Sequence, residues 1–188
     1  MQLRLCTLFG FLLPVLAQSD QQIVINQPTT MKPTIADLLT IESSLSIFYG
    51  YARELHLSNT FSDSNAPEIT VLAPTNKAVM ALARKPHQDP VPADDGVIIT
   101  EEEFDAKSKE NVQRWISAHI IPHGAIQFDD QTYDTLLDGK SLTFSSKKGS
   151  SGPLDWSHAS FGDDIHIVGK REAANGIIYL IDGTVLLD

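Results

Sequence analysis

Six histidines and 24 acidic residues carry the chain's capacity for acid–base or metal chemistry. His119 and His123 stand four apart, a metal-binding spacing when both lie on one helix face. Pro122 falls between them and no glutamate fills the gap, so a zinc-hydrolase helix is not expected. Asp163, Asp164 and His166 are a denser group. On a strand Asp164 and His166 share a face, and a surface charge pair is the preferred reading over a metal site. Ser157 and His158 are adjacent, which on a strand directs them to opposite faces. The sequence holds no Gly-x-Ser-x-Gly elbow, no phosphate loop and no dinucleotide glycine pattern. Trp115 and Trp156 offer ring faces on which sugars stack. Trp115 falls on the apolar side of a helical pattern, whereas Trp156, in the loop over residues 153–158, is the exposed candidate. His119 shares the apolar face of Trp115 and Ile116. There it either meets a partner molecule or sits in the core against a backbone carbonyl, and the core role is preferred. No catalytic residue, cofactor or metal is therefore expected, and His119 and Trp156 stand as the partner-binding candidates.

Periodicity predicts the elements that position these groups. Thr34 and Asp37 have capping-box spacing ahead of Leu38 and Leu39, so a short helix starts there. Leu45, Phe48, Tyr49, Ala52 and Leu55 step by three and four, one face of a helix over residues 43–55. Residues 59–67 read as a loop. Residues 68–73 are short and β-branched, a buried strand that Pro74 ends. Thr75 or Asn76 caps a helix over 77–84. Residues 85–110 hold eight acids against three lysines, with Pro86, Pro90 and Pro92, and read as an exposed acidic insertion. Within it Val97-Ile98-Ile99 is the one apolar triplet, and a helical turn is expected at 101–104. No calcium-loop spacing occurs there. A second long helix spans 111–121 and stops at Pro122 and Gly124. The period then changes to two: strands are expected at 131–137, 141–145, 165–169 and 176–181, with Asp138-Gly139 as a hairpin turn and 149–153 as a flexible loop. Helices first and antiparallel strands last make the class α+β.

The ends address compartment. Arg4, an apolar run over residues 5–16, and Val15 and Ala17 before Gln18 have the three parts of a secretory leader over residues 1–17. The run is too short to cross about 30 Å of hydrocarbon. Its removal would take Cys6, the one cysteine, so neither a disulfide nor a thiolate zinc cage is available. Residues 18–33 read as an extended arm, with Ile23-Val24-Ile25 as an optional edge strand. No later stretch is long and apolar enough for a membrane span, and no tail signals a lipid anchor. The length of 188 residues, 42% of them hydrophobic, suits one domain. A net charge of −10 repels phosphate backbones, so nucleic acid is not an expected partner.

Two blocks carry a resemblance. Thr70-Val71-Leu72-Ala73-Pro74-Thr75-Asn76-Lys77-Ala78 and Ala174-Asn175-Gly176-Ile177-Ile178-Tyr179-Leu180-Ile181-Asp182-Gly183-Thr184-Val185-Leu186 resemble the two signature blocks of the fasciclin-like domain family. The helix bearing His119, followed by 136–142, resembles the family's middle segment, and Thr34 to Leu39 its opening helix. The resemblance covers residues 34–188 and is nearest to small single-domain fungal members. It implies a fasciclin-like fold, with N-terminal helices packed on a mostly antiparallel β-sandwich or wedge. The signature positions Thr70, Ala73, Pro74, Thr75, Asn76, His119, Asn175, Gly176, Ile181 and Asp182 are implied to be mainly structural. Leu72 stands where the family usually has an aromatic, and Tyr179 where it often has a histidine. The expected function is a secreted, non-enzymatic interaction or adhesion-type protein that binds a protein or glycan at the cell surface, wall or matrix. The alternative is a soluble vacuolar or lumenal protein of the same fold with a developmental role such as sporulation. A hydrolase using Asp164 and His166 ranks behind both.

Overall fold

Helix formation begins where the Thr34 spacing predicts it. In the computed structural model, which describes residues 32–88, 100–146 and 155–187, the first helix is α1 (Ile35–Ile41). The Thr34 hydroxyl accepts from the Asp37 amide at 3.2 Å, and the Asp37 carboxylate accepts from the Thr34 amide at 2.9 Å. The leader, the arm to residue 31, the 97–99 triplet and the 149–153 loop lie outside the described residues.

The helix expected over 43–55 is divided. A single 3₁₀ turn (Ser43–Leu45) precedes α2 (Ser46–Ala52), and a separate α3 (Leu57–Ser62) occupies the start of the expected loop. Phe61, fully buried, and Leu57 pack this helix on the core. Strand β1 (Ile69–Pro74) is buried along its length, and α4 (Asn76–Ala81) follows, shorter than predicted. The larger correction is α5 (Glu101–Ala118). It starts at the capping box of Thr100 with Glu103, inside the segment expected to be an acidic loop, and ends three residues early. Ile120–Ile121 form the short β2 instead, because the edge of β1 offers antiparallel backbone partners, Thr70 to Ile121 and Val71 to Ile120.

The later strands are β3 (Thr132–Asp134), β4 (Ser141–Ser146), β5 (Ala159–Phe161), β6 (Ile165–Ala173) and β7 (Gly176–Ile181). The order is β2-β1-β7-β6-β5-β4-β3, all neighbours antiparallel except the parallel pair β1 and β7. β5 was not expected, β6 runs four residues further than predicted, and Asp138-Gly139 sits within a six-residue connection (135–140) rather than a two-residue turn. Leu72 and Tyr179, the two positions that depart from the resemblance, are register partners across β1 and β7.

Both faces of the sheet are covered. Ile35, Leu39, Phe48, Phe61, Trp115 and Ile116 from the helices close one face over Val71, Ile178 and Leu180. Phe128, Phe144, Phe161, Ile165, Tyr179 and Val185 form a second core on the other. Alternation along β7, with Ile178 and Leu180 to one side and Tyr179 and Ile181 to the other, divides its side chains between the two.

Candidate functional site

Thr70 and Asn175 of the signature blocks turn inward, Thr75 and Asn76 are half-buried, and Lys77 and Asp182 are exposed. Asn175 is 1% exposed. Its amide oxygen accepts from the Ile35 amide at 2.9 Å, and its amide nitrogen donates to the carbonyls of Thr60, Phe61 and Asp63 at 2.9 to 3.2 Å. One side chain thus ties the start of α1 to the end of α3, satisfying groups that helix termini leave unpaired. Asn175 and Ala174 form the two-residue turn between β6 and β7. Gly176 follows with φ at 149°, and a Cβ there would stand 2.0 Å from the Ile69 carbonyl oxygen. Asn76 accepts from the Ile47 amide at 3.0 Å and donates to the Ser43 carbonyl at 2.9 Å, fixing α2 to α4. Thr75, not Asn76, caps α4; its amide donates to the Ile181 carbonyl at 3.0 Å. The buried Thr70 hydroxyl donates to the Gly124 carbonyl. Ala73, Pro74 and Ile181 are buried where β1 and β7 end together. Asp182 accepts from the His166 amide at 2.8 Å.

His119 is fully buried at the C-terminal cap of α5, between the two cores. Its Nδ1–H donates to the Trp115 carbonyl at 2.7 Å, and its Nε2 accepts from the Val185 amide at 3.0 Å. A carbonyl can only accept and an amide only donate, so the ring is the neutral Nδ1–H tautomer. Burial pushes its pKa down to about 4, against a smaller opposing effect of the Trp115 carbonyl. Its rim touches Trp115 and Phe48, with ring centres 4.6 and 6.0 Å away. His123 lies beyond β2 against Tyr133, so the two histidines do not converge.

The other candidate groups lie near the surface. His166 faces Asp164 through Nε2 at 3.4 Å and Asp182 through Nδ1 at 3.5 Å. The pair does meet, but Asp164 holds a left-handed φ of 67° in the turn before β6 rather than a strand position. Ser157 and His158 also differ from expectation. They occupy a 3₁₀ turn (Trp156–His158), which brings Ser157 Oγ to 3.2 Å from His158 Nδ1. Both are exposed, and no carboxylate among the described residues bonds to His158 to orient it as a base.

Trp156 is half-buried rather than exposed, packed on the second core. It lines a cleft of about 460 Å³ together with Ile126–Asp129, Asp155, Lys170, Ile177 and Tyr179. Asp155 caps the 3₁₀ turn through the Trp156 amide at 2.7 Å, which fixes where the indole emerges. Lys170 donates to Glu172 at 2.8 Å. Tyr179 packs edge-on against Phe128, with centroids 5.5 Å apart. No described residue hydrogen-bonds its hydroxyl. Burial, with the charges of Asp155 and Glu172 adding, pushes its pKa up to about 12. Sequence reasoning missed Tyr179 as a site residue. The signal for it was a hydroxyl in an otherwise apolar strand.

A wider groove of about 1150 Å³ runs between Tyr51, Glu54, His56 and His87 on one side and α5 from Asp105 to Arg114 on the other. Tyr51 and His87 are joined there at 3.1 Å.

Comparison with known proteins gives consistent matches. The fasciclin domain family model matches residues 43–187. An FAS1 domain-containing protein of Saccharomyces cerevisiae is 31% identical over 176 residues, covering 79% of this chain and 62% of that protein. One of Aspergillus fumigatus is 35% identical over 94 residues, covering 48% of this chain and 40% of that protein. The chain thus spans between 40% and 62% of the length of these relatives. Among solved structures, an FAS1 domain pair from the insect cell adhesion molecule Fasciclin I matches with a TM-score of 0.54 at 14% identity, covering 84% of this chain and 52% of that one. At that identity the likeness is one of fold.

Proposed function

Because the chain belongs to the fasciclin domain family, we propose that it is a secreted, non-enzymatic interaction protein that binds a protein or glycan at the cell surface, wall or matrix. The observation that carries this reading is the direction of the signature side chains. Asn175, Thr70 and His119 spend their hydrogen bonds on backbone inside the fold, and half-buried Asn76 spends its own on the Ile47 amide, the Ser43 carbonyl and the Ser46 hydroxyl. They act as a frame, and recognition then falls to side chains other than these four. The insect protein that shares the fold is a cell adhesion molecule, which supports the same class of role.

The test is direct. Purified protein is incubated with intact cells and with isolated wall and membrane fractions, and retention is measured after washing. Saturable retention on the surface or wall is the expected result. Absence of retention, with the protein recovered from an internal lumen, overturns this reading in favour of a vacuolar role.

A further inference from the structure

We propose that the cleft beside Trp156 is a subsite for one ring of a neutral hexose oligosaccharide. The proposal deepens, and rests on, the reading of the chain as a surface- or wall-binding protein.

A pyranose presents an apolar C–H face and a rim of hydroxyls. A site for it needs an aromatic platform and a few polar groups placed at the rim. The cleft supplies both. Trp156 is half-buried, so part of its indole is anchored on the second core while the residue lines the opening. Its volume of about 460 Å³ lies within the range of small-ligand sites.

Tyr179 is the second, independent observation. The residue is only 3% exposed, yet its hydroxyl is not a buried orphan: it bonds no described residue and reaches solvent, and the residue lines the same cleft. Phenylalanine would fill the apolar part of this place equally well; the phenol adds a hydroxyl that solvent reaches, where a ligand hydroxyl can take the place of water. A phenol keeps its proton at neutral pH, so the hydroxyl is a standing donor. Gln127, Asp129 and Asp155 line the rim and supply acceptors for sugar hydroxyls.

Charge selects the class of sugar. Lys170 is the cation in the cleft, and its amine is committed to Glu172 at 2.8 Å. Asp129 and Asp155 leave the mouth negative, in a chain of net charge −10. Sulfated and uronic-acid glycans are repelled, and neutral hexoses are not.

The experiment is calorimetric titration of the purified protein with laminarihexaose, cellohexaose and mannohexaose, and with hexagalacturonate as the acidic control. At least one neutral hexasaccharide is expected to bind, with hexagalacturonate weaker by about tenfold or more. Trp156→Ala should weaken binding by about tenfold or more, and Trp156→Phe by less. Tyr179→Phe removes one oxygen and should weaken binding by about three- to tenfold without lowering Tm. That variant keeps the proposal testable if Trp156→Ala folds poorly. The proposal is overturned if no neutral hexasaccharide binds, if hexagalacturonate binds equally, or if Tyr179→Phe binds like the wild type. The same variants are run against the wall fraction. Wall retention unchanged in Trp156→Ala and Tyr179→Phe overturns the cleft and leaves the surface-binding reading intact. A wild type that binds neither sugars nor wall overturns both.

Discussion

His119 occupies a position where its chemistry is spent on holding the fold. Both nitrogens are engaged and the ring is neutral, so protonation must break the bond from the Val185 amide. The unfolded chain protonates near the ordinary value of 6.5 and the folded one near 4, so between these limits the unfolded state binds more protons. Stability is complete above the unfolded value and is lost as pH falls toward the folded one. The expected loss is roughly 3 kcal/mol across that window. Urea denaturation of wild type and His119→Gln should show the variant less stable near neutral pH, with the gap closing as the solution is acidified. Asn175 carries a comparable burden without titrating. Asn175→Ala takes the side-chain partner from the Ile35 amide and from the Thr60 and Phe61 carbonyls around a buried site, while the Asp63 carbonyl keeps the Ala66 amide, and should cost about 2–4 kcal/mol by the same assay. These residue types were legible in the sequence as the punctuation of two blocks. Their partners were not, because Asn175 and Ile35 lie 140 positions apart and meet only once both cores close.

At the scale of elements, β1 and β7 form the parallel spine, and Gly176 permits it. Any side chain there meets the Ile69 carbonyl oxygen at 2.0 Å, which backbone on both sides cannot relieve. Gly176→Ala is therefore expected to cost more than about 4 kcal/mol or to prevent folding, read as loss of soluble protein or of a cooperative thermal transition. α5 behaves differently along its length. Residues 101–107 are exposed, whereas Val112, Trp115 and Ile116 are buried. Thr100→Ala should fray the first turn, seen as faster amide exchange over residues 101–104, while the global unfolding midpoint stays nearly unchanged. The capping box that starts α5 was present in the sequence as Thr100 and Glu103. A helical turn at 101–104 was legible there, but the surrounding prolines and acids obscured its continuation into the helix read from residue 111. The early end of α5 was not legible at all: β-branched Ile120 and Ile121 fit a helix face or a strand equally, and the free edge of β1 decides between them.

For the molecule as a whole, the sheet separates two cores, and His119, bonded to Val185, spans them. Trp115 belongs to the first core and Trp156 packs on the second. If the cores are one cooperative unit, Trp156→Phe, which leaves Trp115 as reporter, and Trp115→Phe, which leaves Trp156, should each show coincident fluorescence and circular-dichroism midpoints. A fluorescence midpoint displaced from the far-ultraviolet one in either variant would show the two cores unfolding separately.

The α+β class, the opening helix and the strands β1, β4 and β7 were determined by the sequence alone, each through local periodicity, capping or turn chemistry, which neighbours along the chain settle between themselves. The family blocks were legible there as a resemblance. Tertiary structure decided the division of the 43–55 helix, the length of α5, the parallel pairing of β1 with β7, and the meeting of Trp156 with Tyr179. Those depend on which surfaces and edges remain unpaired after the chain folds back on itself. Tyr179 shows the difference most clearly. In the sequence it is one aromatic in an apolar strand, and only the folded chain brings it against Phe128 and into the lining of one cleft with residues 125–129 and Trp156.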